Sequence, residues 1–128
     1  MMKKLFSIEG KVAIVTGGSR GIGEMIARGF VENGAKTYIT ARTEATCQAT
    51  AEALSHYGEC IAIPADLSTL EGIHQFVQTF TSREEKLDIL VNNAGYMKSR
   101  QEYEALSAAM EAFGETDWDM TMDINLKA

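Results

Sequence analysis

Nowhere does the chain carry the run of about 18 apolar residues that a bilayer-crossing helix needs, so no membrane span is expected. Its opening, Met1-Met2-Lys3-Lys4-Leu5-Phe6, begins as a secretory leader would, with charge followed by apolar residues. Ser7, Glu9, Gly10 and Lys11 interrupt it before an apolar segment of the required length forms, and the stretch reads as a disordered tip. Cysteine is scarce: Cys47 and Cys60 stand without Cys-x-x-Cys and without metal-ligand spacing. That excludes a disulfide scaffold and a metal site, and two free thiols in a reducing cytoplasm are expected. Basic charge is in deficit too, with 12 Lys and Arg against 18 Asp and Glu and a net charge of −6. Nucleic-acid binding leaves a basic footprint, so that class of partner is excluded. Against these absences, 45% hydrophobic and 23% charged residues over 128 positions suit one soluble domain with a sizeable core.

What the chain does have is Lys11-Val12-Ala13-Ile14-Val15-Thr16 running into Gly17-Gly18-Ser19-Arg20-Gly21-Ile22-Gly23. That order reads as buried strand, tight turn and helix start. Ile22, Met25, Ile26, Gly29 and Phe30 follow at helical spacing and are expected to face the core. A helix N-terminus has unpaired N–H groups and about +0.5 charge, so a glycine loop opening onto one is a ready anion site. Gly17, Gly21 and Gly23 lack the Cβ atoms that would keep a diphosphate away from the backbone. The general G-x-G-x-x-G fingerprint is absent; the spacing here is Gly17-x-x-x-Gly21-x-Gly23. Taken alone, those glycines also suit a plain strand-to-helix turn.

The remaining elements follow in alternation. Strands are expected at 12–16, 36–41, 60–63 and 87–91, and helices at about 22–33 and 44–57 and from the Ser68-Thr69-Leu70-Glu71 capping box onward. Asn33-Gly34 stops the first helix, Gly58 the second, and Pro64 closes the third strand. Ala49, Ala53, Leu54 and Tyr57 are expected inward on the second helix, and Ile73, Phe76, Val77 and Phe80 on the third. This alternation predicts an α/β fold: a Rossmann-like doubly wound parallel sheet of about four strands with flanking helices. No linker, repeat or low-complexity tract interrupts it. Ligands of such sheets sit beyond the carboxyl ends of the strands. Those ends carry Gly17–Gly23, Arg42, Asp66 and Asn92–Gly95, a convergence on one rim.

Two arginines on that rim bear on the cofactor. An acid after strand two holds a ribose 2′-hydroxyl, whereas an arginine accommodates a 2′-phosphate. Tyr38-Ile39-Thr40-Ala41-Arg42-Thr43 has no acid and one arginine, and Arg20 lies in the glycine loop. A guanidinium matches phosphate oxygens bidentately, so NADP(H) is favoured over NAD(H). Two solvated surface arginines would be the alternative reading.

Thr16-Gly17-Gly18-Ser19-Arg20-Gly21-Ile22-Gly23, Asp66-Leu67 and Asn92-Asn93-Ala94-Gly95, in order and in register over about residues 8–96, resemble the N-terminal half of the short-chain dehydrogenase/reductase family. Within it the chain most resembles NADPH-dependent β-ketoacyl reductases, including the rhamnolipid-biosynthesis type. The resemblance implies that Gly17, Ser19, Arg20, Ile22 and Gly23 line the diphosphate and adenosine ribose. It implies Arg42 for the 2′-phosphate, Asp66 and the Leu67 backbone for the adenine, and Asn92, Asn93, Ala94 and Gly95 for the nicotinamide-side ribose. Asn125, in Asp123-Ile124-Asn125-Leu126, matches the family's active-site asparagine, which helps hold a proton-relay water.

The chain departs from the family pattern twice. The family's proton donor is a tyrosine followed four residues on by a lysine, with a serine upstream, and no Tyr-x-x-x-Lys occurs here. Tyr38 to Arg42 and Tyr96 to Arg100 have the spacing, but arginine stays charged above pH 12 and cannot play the lysine's part. The segment 96–116 is also longer than the family's, with Tyr103, Leu106, Met110 and Phe113 at helical spacing. Elsewhere, His56 and His74 are expected on exposed helical positions, Glu84-Glu85 as a solvated turn, and the seven methionines as packing.

The expectation is a single dinucleotide-binding domain over 1–128, incomplete on its C-terminal side. It would be the cofactor-binding half of a cytoplasmic NADP(H)-dependent reductase that passes hydride to a small-molecule or acyl-carrier-linked carbonyl, 3-oxoacyl or similar. A tyrosine beyond residue 128 would complete it, the 128 residues alone would be inactive, and the full-length form would be a homo-oligomer. Strand four is expected at an exposed edge, with poor monomeric stability. A non-catalytic NADPH-binding sensor and a fragment without ligand function remain the alternatives.

Overall fold

A computed structural model of the chain describes residues 2–95 together with Asp119 and Met122. The segment 96–116 and Asn125 therefore lie outside the described residues. Four strands and four helices follow in the order α1 (Met2–Leu5), β1 (Val12–Thr16), α2 (Gly21–Glu32), β2 (Lys36–Thr40), α3 (Glu44–Leu54), β3 (Cys60–Ala62), α4 (Leu70–Thr81) and β4 (Ile89–Val91). The strands form one parallel sheet ordered β3-β2-β1-β4. Thr16 lies level with Thr40, and Val15 with Val91, so β1, β2 and β4 end on a common rim. Chain order reverses between β1 and β4, which opens a crevice at the strand ends.

Alternation along the strands divides the core in two. Val15 and Ile39 point to one face, where they meet Ala27 and Val31 of α2 and Cys47, Ala51 and Leu54 of α3. Ile14, Tyr38 and Ile63 point to the other, against Phe76 and Phe80 of α4. The Tyr38 and Phe80 rings meet edge to face at 5.1 Å, a favoured aromatic geometry. Every residue of β1 is buried because both faces are covered, as expected for a parallel strand.

Helical periodicity located the helices and placed two of their faces only in part. On α2, Ile26 and Phe30 are half-buried and pack against the core as expected, but Ile22 and Met25 are exposed and the fully buried line is Gly23-Ala27-Val31. Small residues win that line because the helix start lies against the glycine loop: a Cβ on Gly23 would stand 2.1 Å from the Gly17 carbonyl oxygen. On α3 the buried line is Cys47, Thr50, Ala51 and Leu54, while Ala49, Ala53 and Tyr57 are exposed. A polar threonine is accepted inside because its hydroxyl is paired, with Ser19. On α4, Phe76 and Phe80 are buried as expected, Ile73 is half-buried and Val77 is exposed.

Three smaller expectations change. Met2–Leu5 forms one helical turn in place of a disordered tip. The cap of α4 is Thr69, whose hydroxyl accepts from the Gly72 N–H at 3.0 Å; Ser68 is occupied with Asp66 instead. Glu84 is no solvated turn: it accepts from the Tyr38 hydroxyl at 2.7 Å and pairs with Lys36, pinning the loop after α4 beneath β2. That pairing holds the Glu84 carboxyl below, and the Lys36 ammonium above, its ordinary range. His56 and His74 are exposed, and Cys47 and Cys60 are free and buried.

Candidate functional site

At the carboxyl end of the sheet lies a cleft of about 460 Å³. Its floor is the loop after β1, where Gly17 and Gly21 take φ of +65° and +59°, a region that favours glycine. Gly17 and Gly18 donate their N–H groups to the Thr40 carbonyl, at 2.9 and 3.3 Å, and this ties the loop to β2. From Arg20 to Gly23 the N–H groups meet no acceptor among the described residues, and Arg20 provides no side-chain cap. Four donors without acceptors and the helix dipole thus stand together at the start of α2, with Arg20 and Gly21 lining the cleft, an arrangement suited to an anion.

Thr16 and Asn93 fasten the opposite wall. The Thr16 hydroxyl accepts from the Asn93 and Ala94 N–H groups, at 3.0 and 2.9 Å, and donates to the Val91 carbonyl at 3.3 Å. Asn93 Nδ2 returns to the Thr16 and Gly17 carbonyls. The turn after β4 and the glycine loop are therefore one hydrogen-bonded unit.

Charge is unevenly placed around the cleft. Arg20 and Arg42 line it and are exposed, and Asp66 is the one acid among its lining residues. Ser68 donates its hydroxyl and its N–H to Asp66 Oδ1, at 2.6 and 3.0 Å, and these bonds, with Arg42 adding to them, hold the carboxyl below its usual range. Asp66 is thus an ionised acceptor at neutral pH.

A family model described as short chain dehydrogenase matches residues 11–128. The chain belongs to the short-chain dehydrogenase family. It is 45% identical over 125 residues to the rhamnolipids biosynthesis 3-oxoacyl-[acyl-carrier-protein] reductase of Pseudomonas aeruginosa, covering 98% of this chain and 46% of that protein. The solved Pseudomonas aeruginosa RhlG/NADP active-site complex superimposes with a TM-score of 0.84 at 45% identity, over 95% of this chain and 44% of that one. A metagenomic short-chain oxidoreductase solved in complex with NADP gives 0.81 at 33% identity, over 94% of this chain and 52% of that one. The chain spans about half the length of the curated relatives it matches.

For this short-chain dehydrogenase chain the cleft gathers Gly17, Ser19, Arg20, Gly21, Arg42, Asp66, Leu67, Asn93, Ala94 and Gly95. Three expected residues stand apart from its lining. The Ile22 side chain is 69% exposed, Gly23 is buried behind Gly17, and Asn92 borders a second, apolar cavity of about 400 Å³ between α4 and β4. Asn92 and Asn93 diverge because side chains still alternate at the end of the strand. Asn125 lies outside the described residues.

Sequence reasoning passed over four threonines and a serine. Thr40, Thr43, Thr46 and Ser68 line the cleft, and Thr50 supports it from below. Thr40 carries a usable signal only in three dimensions: its Oγ1 is buried and has no hydrogen-bond partner among the described residues.

A dinucleotide fits this donor set. Gly21 has nothing within 4 Å of where a Cβ would stand, so the backbone beside it is open to a ligand. The free N–H groups match a diphosphate, and the two arginines match a further phosphate.

Proposed function

We propose that this chain is the nucleotide-binding half of an NADP(H)-dependent oxidoreductase that reduces a carbonyl, with a 3-oxoacyl group carried on an acyl-carrier protein as the favoured substrate. One observation carries the reading: N–H groups from Arg20 to Gly23, without acceptors among the described residues, stand at the edge of a cleft flanked by Arg20 and Arg42, with no acid directly after β2. The names of the relatives support the substrate class, and the NADP of two solved relatives supports the cofactor. When bound, NADPH supplies the hydride.

The residues of this chain have separate parts in that reading. Gly17, Ser19, Arg20, Gly21, Ile22 and Gly23 seat the diphosphate and the adenosine ribose, the glycines by close approach and the N–H groups by donation. Arg42 takes the 2′-phosphate with Arg20 beside it. Asp66 accepts from the adenine amine, and the Leu67 backbone lies along the ring. Asn92, Asn93, Ala94 and Gly95 border the nicotinamide-side ribose, and Asn125 holds a water for proton relay. The sequence has no Tyr-x-x-x-Lys, so these 128 residues bind nucleotide without turning substrate over.

Titration of the protein with NADPH and with NADH, followed by cofactor fluorescence, tests this directly. Saturable binding that favours NADPH is expected. No binding of either nucleotide overturns the reading, and turnover of a 3-oxoacyl thioester by these residues alone overturns the assignment of the chemistry to groups outside them.

A further inference from the structure

Thr50 lies on the buried line of α3 and donates its hydroxyl to the Ser19 carbonyl at 2.7 Å, across a sequence separation of 31. Both residues are buried, so the bond forms in a low dielectric and its loss would leave the carbonyl unpaired. The Ser19 carbonyl and the Arg20 N–H belong to one planar trans peptide, which points them in opposite directions. A carbonyl held by α3 therefore turns the Arg20 N–H away from that helix.

No other hydrogen bond among the described residues fixes this peptide. Gly17 and Gly18 are tied to Thr40, and from Arg20 onward the α2 ladder begins with the Glu24 N–H on the Arg20 carbonyl. Between those anchors, with positive φ at Gly17 and Gly21 on either side, Gly18 packs on Ile39 and the Thr50 hydroxyl makes the hydrogen bond that holds the chain among the described residues. The same helix starts directly after Arg42-Thr43, and Thr46 in its first turn lines the cleft. α3 thus bears on both arginines, on Arg42 through its N-terminus and on Arg20 through the Thr50 hydroxyl.

We propose that Thr50 is a positioning residue that orients the Ser19–Arg20 peptide, and through the Arg20 N–H governs affinity for the diphosphate of a dinucleotide. The proposal rests on the NADP(H) reading above. Valine has the shape of threonine without the hydroxyl, and serine keeps the hydroxyl.

The test compares wild type, Thr50→Val, Thr50→Cys and Thr50→Ser by NADPH and NADH titration. Thr50→Val is expected to weaken NADPH and NADH alike, about five- to tenfold, as for the loss of one buried hydrogen bond. Thr50→Cys, a weak donor, should fall between valine and serine, and Thr50→Ser should restore NADPH affinity. A loss confined to NADPH, unchanged affinities in Thr50→Val, or no rescue by serine each overturns the proposal.

Tryptic cleavage without nucleotide separates this from the wider reading. Cutting after Arg20 should quicken in Thr50→Val relative to cutting after Arg83, which lies in the loop after α4 and serves as the internal reference. An unchanged ratio overturns the pin even where wild type binds NADPH. If wild type binds neither nucleotide, the functional reading falls on that titration, and the cleavage ratio still decides whether Thr50 holds the loop.

Discussion

Gly23 and Gly29 stand six positions apart on α2, yet a methyl group added to each should have opposite effects. At Gly23 the new Cβ would lie 2.1 Å from the Gly17 carbonyl oxygen, so helix and loop must part; Gly23→Ala should cost about 1–3 kcal/mol. At Gly29 nothing lies within 4 Å, and Gly29→Ala should stabilise by about 0.5–1 kcal/mol through reduced freedom of the unfolded chain. Thermal melts of the two variants check the pair, and a shift of the same sign in both would refute the close-approach account. Arg42 belongs to this scale as well. Arg42→Ala should weaken NADPH about tenfold or more, as for loss of a charge-assisted bond, and leave NADH nearly unchanged. Equal loss of the two nucleotides in a fluorescence titration would remove Arg42 from the 2′-phosphate.

Elements meet through a few polar ties, and these set the pH range of the fold. Glu84 has a folded pKa below its ordinary value of 4.5, so its contribution is present above that value and fades as pH falls through the lower folded one. Lys36 has a folded pKa above 10.5, so its contribution is complete below that value and is lost as pH rises past the folded one. Glu84→Gln should flatten the acid limb of stability against pH, read by urea melts from pH 3 to 7; a limb as steep as wild type would place the titration elsewhere. Thr16→Val should separate β4's turn from the glycine loop and cost about 1–3 kcal/mol, because two N–H groups lose one acceptor. Element order and type were legible from glycine punctuation and apolar runs: β1 is Val12–Thr16 as expected, and Gly34 takes the positive φ expected past a helix end. Helix faces were less legible, since hydropathy ranks Ile22 and Met25 above Gly23 and Ala27, whereas close approach to the glycine loop selects the smaller pair. The rim's arginines, asparagines and glycines were visible as punctuation at strand ends. Thr40 and Thr50 were not, because a β-branched residue in a strand or a polar residue in a weakly amphipathic helix looks ordinary until its partner is known.

At the scale of the whole molecule, the sheet formed by the described residues has an uncovered edge. Among the described residues no strand pairs with the outer edge of β4, and Leu87, Leu90 and Val77 are exposed beside the apolar cavity between α4 and β4. Unpaired edges recruit other strands, and with a pI near 4.9 the repulsion between copies vanishes in mild acid. Self-association should therefore grow as pH approaches 5, and Leu90→Lys should reduce it; sedimentation at pH 5 and pH 8 checks both. The centre of the molecule behaves differently. Cys47 and Cys60 lie in the core between the sheet and α3, and burial pushes the Cys60 thiol up to about 12. Neither sulfur can meet an alkylating reagent until that core opens, so the pace of iodoacetamide uptake is a built-in clock for global unfolding, readable by mass spectrometry as the mass each carbamidomethyl group adds.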